Sequence, residues 1–226
     1  MSKRIFGITF TALSLFGVLM PGTAHADAVS DLLAELSEYE YGDVRIPLRE
    51  AHLWVTGALN SEQDSAAVAA ALATLLDGDA TLDCKQFVCR ELARVGGAAQ
   101  VPQLAALLNN AETADMARIA LQAIPGPEAD AVLVDALATT SGVVRVGVAN
   151  SLGERRAKGA VTPLRQLARK GDAQEAEAAV AALGKIGTRS AAHALKRAKR
   201  GASPELRESI KHALLVCVEV RRGAES

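Results

Sequence analysis

Aromatic side chains are scarce in this sequence of 226 residues: they make up 3% of it, although 50% of the residues are hydrophobic. A core built without aromatics must be filled by alanine, leucine and valine, whose small side chains let helices approach each other closely. β-Sandwiches and barrels favour β-branched and aromatic residues, so the composition disfavours both architectures. We therefore predict short, closely stacked helices.

Motifs for catalysis or metal binding are missing as well. The four histidines have no metal-ligand spacing on one helix face, and neither a Gly-x-Ser-x-Gly sequence nor a phosphate-binding glycine-rich loop occurs. Glu175 and Glu177 form a carboxylate pair, but they fall on a predicted solvent face. We expect no catalytic residue, no cofactor and no metal.

Three cysteines remain to be explained. Cys84 and Cys89 are five residues apart on one predicted helix, a rise of about 7.5 Å, whereas a disulfide needs Cα atoms within about 6.8 Å. A bridge would require a distorted first turn, and the spacing is a poor zinc signature. With Cys217 on the apolar stripe of the last predicted helix, we predict three free, buried thiols.

A pair of leucines twelve residues apart recurs along most of the chain. The first leucines, spaced by 29, 31 and 31 residues, are Leu92, Leu121, Leu152 and Leu183. The second leucines are Leu104, Leu133, Leu164 and Leu195. Because the offset survives the change in repeat length, we place each pair across a helical hairpin, with a divergent unit before them that uses Leu59 and Leu72.

Helix start and stop signals divide the chain further. Asp172 followed by Glu175 is a capping-box pattern, and Ile124-Pro125-Gly126-Pro127 ends one helix and begins the next. A helix at residues 27–41 and another beginning at Ser203 are predicted to cap the two ends, since terminal units of a stack must cover apolar faces. Trp54 is assigned to the core, with an exposed binding role as the alternative.

Several short motifs carry a resemblance to a known family. They are Val144-Arg145 followed by Leu152-Gly153, the helix end at residues 182–187, and the Val101-Pro102 and Thr162-Pro163 helix openings. In these residues the chain resembles the HEAT-repeat superfamily, particularly the short bacterial HEAT-like repeats also found in phycobilisome lyase subunits. The resemblance covers residues 49–200 as about five hairpins and implies an all-α solenoid, with capping helices and linkers at residues 27–48 and 201–226.

The resemblance also implies a binding surface. In related proteins the helix with the Val-Arg pattern lines the concave side, which here would present Lys85, Arg90, Arg94, Arg118, Gln122, Arg145, Asn150 and Glu154. Arg155 stands where the pattern has isoleucine, so we expect an irregular groove. The repeat is a packing motif and carries no chemistry of its own.

Charge is distributed unevenly along the chain. Residues 27–140 hold 18 Asp and Glu against 6 Lys and Arg, whereas residues 141–226 hold 8 against 17. In a solenoid, order in sequence is order in space, so the molecule should have an acidic and a basic end. Such a molecule could steer an anionic partner to its basic half or dock head to tail, although faces that merely keep the chain soluble are the alternative.

A candidate anion-binding stripe lies in the basic half. Arg189, His193, Lys196 and Arg200 share one face of a helix predicted at residues 189–200 and could bind phosphate, sulfate or uronate groups. No aromatic residue interleaves with them, so stacking on nucleic-acid bases is not supported and no nucleic-acid partner is expected. A hydrophilic outer face is the alternative.

The N-terminal segment, residues 1–26, has the features of a secretory signal peptide. Lys3 and Arg4 precede an uncharged stretch from Ile5 to Met20, and residues 24–26, Ala-His-Ala, fit a cleavage site after Ala26. About 16 apolar residues are fewer than the roughly 20 that a spanning helix needs, although an uncleaved anchor is the alternative. We expect a periplasmic or secreted protein with no membrane span after cleavage.

Together these features predict an exported, non-catalytic scaffold that binds another protein. One alternative is an accessory subunit of an envelope enzyme, resembling the lyase subunits, with a deep pocket near the cysteines or histidines. The other is a protein that binds an anionic envelope polymer through the basic half of the chain.

Overall fold

The computed structural model describes residues 22–223, in which all regular structure is helical and no strand occurs. Residues 1–21, which hold most of the predicted signal peptide, lie outside the described part. The twelve α-helices are α1 (Gly22–Ser37), α2 (Ile46–Ala58), α3 (Glu62–Ala73), α4 (Leu82–Val95), α5 (Val101–Leu107), α6 (Ala114–Ala123), α7 (Pro127–Thr139), α8 (Gly142–Glu154), α9 (Val161–Lys170), α10 (Ala173–Ile186), α11 (Arg189–Ala198) and α12 (Pro204–Gly223).

The helices stack in chain order, and each of α3, α5, α7, α9 and α11 packs against the helix that follows it. We call α2, α4, α6, α8, α10 and α12 the first-helix row, and α3, α5, α7, α9 and α11 the second-helix row. Helices of the first row contact their neighbours in the same row more extensively than helices of the second row do. The fold is thus an all-α solenoid.

Local sequence signals set the helix boundaries. The Thr81 side chain caps α4 by accepting a hydrogen bond from the Cys84 amide, and Asp172 and Glu175 form the predicted capping box of α10. Pro127 opens α7, where its missing N–H costs nothing. Helix α12 continues through Arg221 and Arg222 to Gly223.

The leucine pattern forms the core. All eight leucines of the four regular units, Leu92, Leu104, Leu121, Leu133, Leu152, Leu164, Leu183 and Leu195, have 0% exposure. The prediction for the divergent first unit was half wrong: Leu72 is buried, but Leu59 is 45% exposed. Val55, which precedes the end of α2 by the same three residues that separate Leu92 from the end of α4, is buried instead.

Both ends of the stack are covered by helices. Leu32 and Leu36 of α1 are buried, and the Thr81 hydroxyl donates to the Tyr39 carbonyl to fix the following loop. At the other end Ile210 and Cys217 of α12 are buried. The predicted cleavage site after Ala26 lies within α1, which begins at Gly22.

No helix between residues 22 and 223 has the length and apolar character required to cross a membrane.

Candidate binding surface on the first-helix row

The cysteines contribute to the core rather than to a reactive site. Cys84, Cys89 and Cys217 are buried and free, which confirms the prediction made from their spacing. Burial raises the pKa of the Cys84 thiol to about 11 and that of the Cys89 thiol to about 12. Both thiols are therefore protonated at neutral pH and poor nucleophiles. Across residues 22–223 no group of three or more His, Cys, Asp or Glu side chains is placed to hold a metal ion.

The eight residues predicted for the binding surface all lie on α4, α6 or α8, but they divide into two sets. The exposed set is Arg90, Arg94, Asn150 and Glu154. The half-buried set is Lys85, Arg118, Gln122 and Arg145. Arg118, Gln122 and Arg145 bond to the next repeat, so they position the repeats more than they present a surface. Lys85 donates to the Gly78 carbonyl just before its own helix.

The junction between α2 and α4 holds a buried carboxylate. Glu91 is 2% exposed and accepts hydrogen bonds from Arg94 at 2.7 Å and from His52 at 3.1 Å. Arg94 also donates to the Thr56 hydroxyl at 3.1 Å. The carboxylate thus ties together two helices of the first row, and it leaves Arg94 less available to a partner than its sequence position suggests.

Two more junctions of the first row contain an arginine. Between α6 and α8, Arg118 donates to the Ser151 hydroxyl at 3.2 Å, and that hydroxyl donates to Gln122 at 2.9 Å. Between α8 and α10, Arg145 lies 3.3 Å from the carboxylate of Glu175. Glu175 is 5% exposed, so its assignment to a solvent face was wrong: the carboxylate also accepts from the Gly142 amide at 3.2 Å.

Arg155 has a role that sequence reasoning missed. Its guanidinium reaches back one repeat to bond Asp130 at 2.5 Å and the carbonyls of Leu121 at 2.8 Å and Gly126 at 2.8 Å, and it also donates to the carbonyl of Ile124. These groups include carbonyls at the end of α6 that have no hydrogen-bond donor within the helix, and Arg155 supplies the donor. The irregularity predicted at Arg155 therefore lies between repeats rather than in the groove. In the sequence, the signal for this role was an arginine at a position where the repeat pattern has isoleucine.

An exposed row runs along the first helices, one residue per repeat. Each of the first five members lies two positions before the buried residue that marks its repeat. A spacing of about 31 residues extends the register to α12, where the corresponding Leu214 is half-buried. The members are Leu53, Arg90, Ile119, Asn150, Ala181 and His212. All are exposed, including Leu53 at 52% and Ile119 at 48%. Only Arg90 and Asn150 were predicted, although the leucine register could have supplied the others.

Only three of the four residues of the predicted anion stripe lie on one helix. Arg189, His193 and Lys196 are exposed on α11, but the helix ends at Ala198, so Arg200 lies in the following turn rather than on the helix face. Trp54 is half-buried and packs against the core, so its side chain is neither fully buried nor fully exposed for binding.

Two clefts open along the C-terminal half. One, of about 560 Å³, lies between the ends of α9 and α11 and the starts of α10 and α12, and its lining includes Arg169, Arg200, Asp172 and Glu205. The other, of about 360 Å³, separates α7 from α9. Neither is lined by a cysteine or a histidine.

Comparison with known proteins supports the fold class, and a family model matches part of the chain. In fold the chain is similar to a structure described as the basis of microtubule plus end tracking by XMAP215, CLIP-170 and EB1, with a TM-score of 0.58, 17% identity, and coverage of 84% of this chain and 95% of that one. It is also similar to a designed armadillo repeat protein in complex with the peptide (KR)4, with a TM-score of 0.46, 17% identity and coverage of 84% and 99%. No curated protein matches it.

The structure with the TM-score of 0.58 shows the fold class, a helical-repeat solenoid. Residues 130–215 match the family model of HEAT repeats. This match covers less than half of the chain and agrees there with the HEAT-like motifs of the sequence.

Proposed function

We propose that this chain is an exported, non-catalytic scaffold that binds a segment of another protein along its first-helix row. The observation that carries the proposal is the exposed row from Leu53 to His212, which offers one side chain per repeat. A periodic row on a rigid stack suits an extended partner whose own side chains repeat at regular intervals.

The chemistry of the row supports a protein partner. Leu53 and Ile119 are large exposed apolar side chains that alternate with the polar Arg90 and Asn150. Apolar anchors separated by hydrogen-bonding groups are typical of protein recognition surfaces. A nucleic acid would require a uniformly basic surface, and every helix of the first-helix row carries charges of both signs.

The buried ion pairs support a role without catalysis. Glu91 and Glu175, the two buried carboxylates, are each bonded to an arginine that holds neighbouring repeats together. The cysteine thiols are buried and protonated. These groups stabilise the stack and are poorly placed to act on a substrate.

A photocrosslinking amino acid at Ile119 tests the binding surface. We expect it to capture a different protein from an envelope extract, while the same probe at Ala131, an exposed residue on α7 of the second-helix row, captures no protein other than a second copy of this chain. Equal capture of another protein at the two positions, or capture of none at Ile119, would contradict the proposal.

Export is tested separately by expressing the full chain in a bacterium and fractionating the cells. We expect a periplasmic or secreted product whose N-terminus is Asp27. A product that keeps residues 1–26 and sediments with membranes would support the anchor instead.

Binding to an anionic polymer is the second candidate. It is favoured by the exposed side chains of Arg189, Lys196 and Arg200. Replacing these three residues with alanine should then weaken heparin binding at low salt, and unchanged affinity would rule the candidate out. An accessory subunit with a pocket near the cysteines or histidines receives no support from either cleft.

A further inference from the structure

The two helix rows differ in how they carry charge. Every first-row helix combines acidic and basic residues, whereas each second-row helix has charges of one sign or none. Helices α3 and α7 contain Asp and Glu but no Lys or Arg, and α5 has no charged residue. Helices α9 and α11 contain Lys and Arg but no Asp or Glu.

Connecting segments extend this separation. The segments 59–84, 95–117 and 119–144 contain no Lys or Arg, and the segments 155–171 and 186–204 contain no Asp or Glu. The second-helix row is therefore acidic at its N-terminal part and basic at its C-terminal part.

The charged groups next to this boundary point to solvent. Glu128 and Asp135 on α7 are exposed, as are Arg169 and Lys170 on α9. None of the four forms an ion pair within the described residues 22–223. The charge of the second-helix row changes from negative to positive at the 360 Å³ cleft, where Val134 and Leu137 of α7 border Leu167 of α9.

Such separation has an electrostatic cost that a mixed surface avoids. Like charges on one part of the row repel each other, and a face required only for solubility would intersperse the two signs, as the first-helix row does. A complementary surface removes the repulsion in both parts at once. An anionic polymer would neutralise the basic part but would be repelled by the acidic part.

We infer that the second-helix row is a surface through which two copies of this chain pair. The copies lie antiparallel about a two-fold axis at the α7–α9 boundary, so that the acidic α7 of each faces the basic α9 of the other. A two-fold interface uses the same patch on both copies and closes on itself, so the product is a dimer and not a filament. This pairing leaves the first-helix row open in both copies.

Charge reversal tests the pairing. One variant carries Arg169→Glu with Lys170→Glu, and the other carries Glu128→Lys with Asp135→Lys. Each variant alone opposes like charges at both halves of the interface, and we expect sedimentation to show monomers. Mixed in equal amounts, the two variants should form a heterodimer, because both halves are then complementary again.

The purified wild-type protein should dimerise at about 50 mM salt, with a dissociation constant that rises about tenfold or more at about 300 mM. Arg90→Glu with Arg207→Glu, which makes the same change of charge on the first-helix row, should leave the dimer intact. Circular dichroism and urea unfolding confirm that each variant is folded.

A wild-type protein that is monomeric at about 100 μM and low salt, or folded variants that fail to pair when mixed, would overturn the inference. A monomeric wild type that binds heparin would assign the basic part to a polymer. Failure of the dimer leaves the crosslinking result at Ile119 unaffected, so the two proposals can fail independently.

Discussion

The junction between α8 and α10 contains a closer backbone contact than the junction between α2 and α4, although each holds a buried carboxylate bonded to an arginine. In the first, Gly153 lies so close to α10 that an added Cβ would be 2.8 Å from the Ala182 Cα. In the second, the buried Glu91 carboxylate bonds to His52 and Arg94. Neighbouring repeats can thus be joined by a polar network with or without close backbone approach.

The comparison shows that a regular repeat does not imply regular stabilisation. A small-residue junction depends on shape and should respond to added volume. A polar junction depends on every partner being present, because a buried charge without its partner is costly. Two of the five changes below test this contrast directly, and the other three test features elsewhere in the stack; they follow in order of decreasing expected effect.

Gly153→Leu should have the largest effect. We expect it to lower the free energy of unfolding by about 3 kcal/mol, since the side chain must displace α10 backbone. Gly57→Leu is the matched control, because nothing lies within 4 Å of a Cβ at Gly57 in α2. The control should gain a few tenths of a kcal/mol from helix propensity. Urea unfolding measures both, and similar values would show that the close approach is unimportant.

Arg155→Ala should lower the free energy of unfolding by about 2 kcal/mol, because the carbonyls at the end of α6 and the Asp130 carboxylate lose their donor. Arg155→Ile restores the residue type of the repeat pattern but supplies no donor. We expect chemical denaturation to find it intermediate between alanine and arginine. An isoleucine variant as stable as the wild type would show that the hydrogen bonds contribute nothing.

Glu91→Gln should lower the free energy of unfolding by about 1 to 2 kcal/mol. This loss is smaller than that of an arginine left buried without a partner, because the Arg94 side chain can turn toward water. His52→Ala should cost less in the Glu91→Gln background than in the wild type. A double-mutant cycle measures this difference, and simple additivity would mean that His52 and Glu91 act independently.

Arg156→Gly should raise stability. Arg156 has a φ of 51°, a left-handed conformation that a side chain disfavours, and glycine should gain about 0.5 to 1 kcal/mol there. Gly201→Ala is the converse control, since Gly201 has a φ of 83° with open space around it. Gly201→Ala should lower the free energy of unfolding by a similar amount, as measured by thermal unfolding. A gain in stability in this variant would contradict the conformational argument.

Glu35→Gln should have the smallest effect, and it should depend on pH. Partial burial, followed by repulsion from Glu50 and Asp31, raises the pKa of Glu35. A raised folded pKa means that the charged form costs stability above the unfolded pKa, and that this cost disappears as pH falls. The variant should therefore gain less than about 0.5 kcal/mol at pH 7 and nothing below about pH 4. A gain that persisted in acid would contradict this origin.

Much of the fold was predictable because its signals are local. The leucine spacing, the capping pair Asp172 and Glu175, and the proline at residue 127 act within a few residues of chain. They predicted where α7, α10 and α12 begin, whereas the first helix, predicted at residues 27–41, runs from Gly22 to Ser37. The eight leucines of the regular units were correctly assigned to the core for the same reason.

The candidate site was predicted only in part. The repeat register could identify Arg90 and Asn150 as surface residues, but it could not show that Arg118 and Arg145 are bonded to neighbouring repeats. These bonds join side chains about 30 residues apart, and their formation depends on the distance between stacked helices. Leu59 was misplaced because the first hairpin departs from the regular spacing.

By itself the sequence determined that this protein is a stack of alanine- and leucine-rich hairpins with acidic and basic halves, because helix periodicity and net charge are properties of the chain. Only the tertiary structure decided which arginines hold the repeats together and which face solvent. It also decided that the separated charges share one face, because that requires alternate helices to lie side by side.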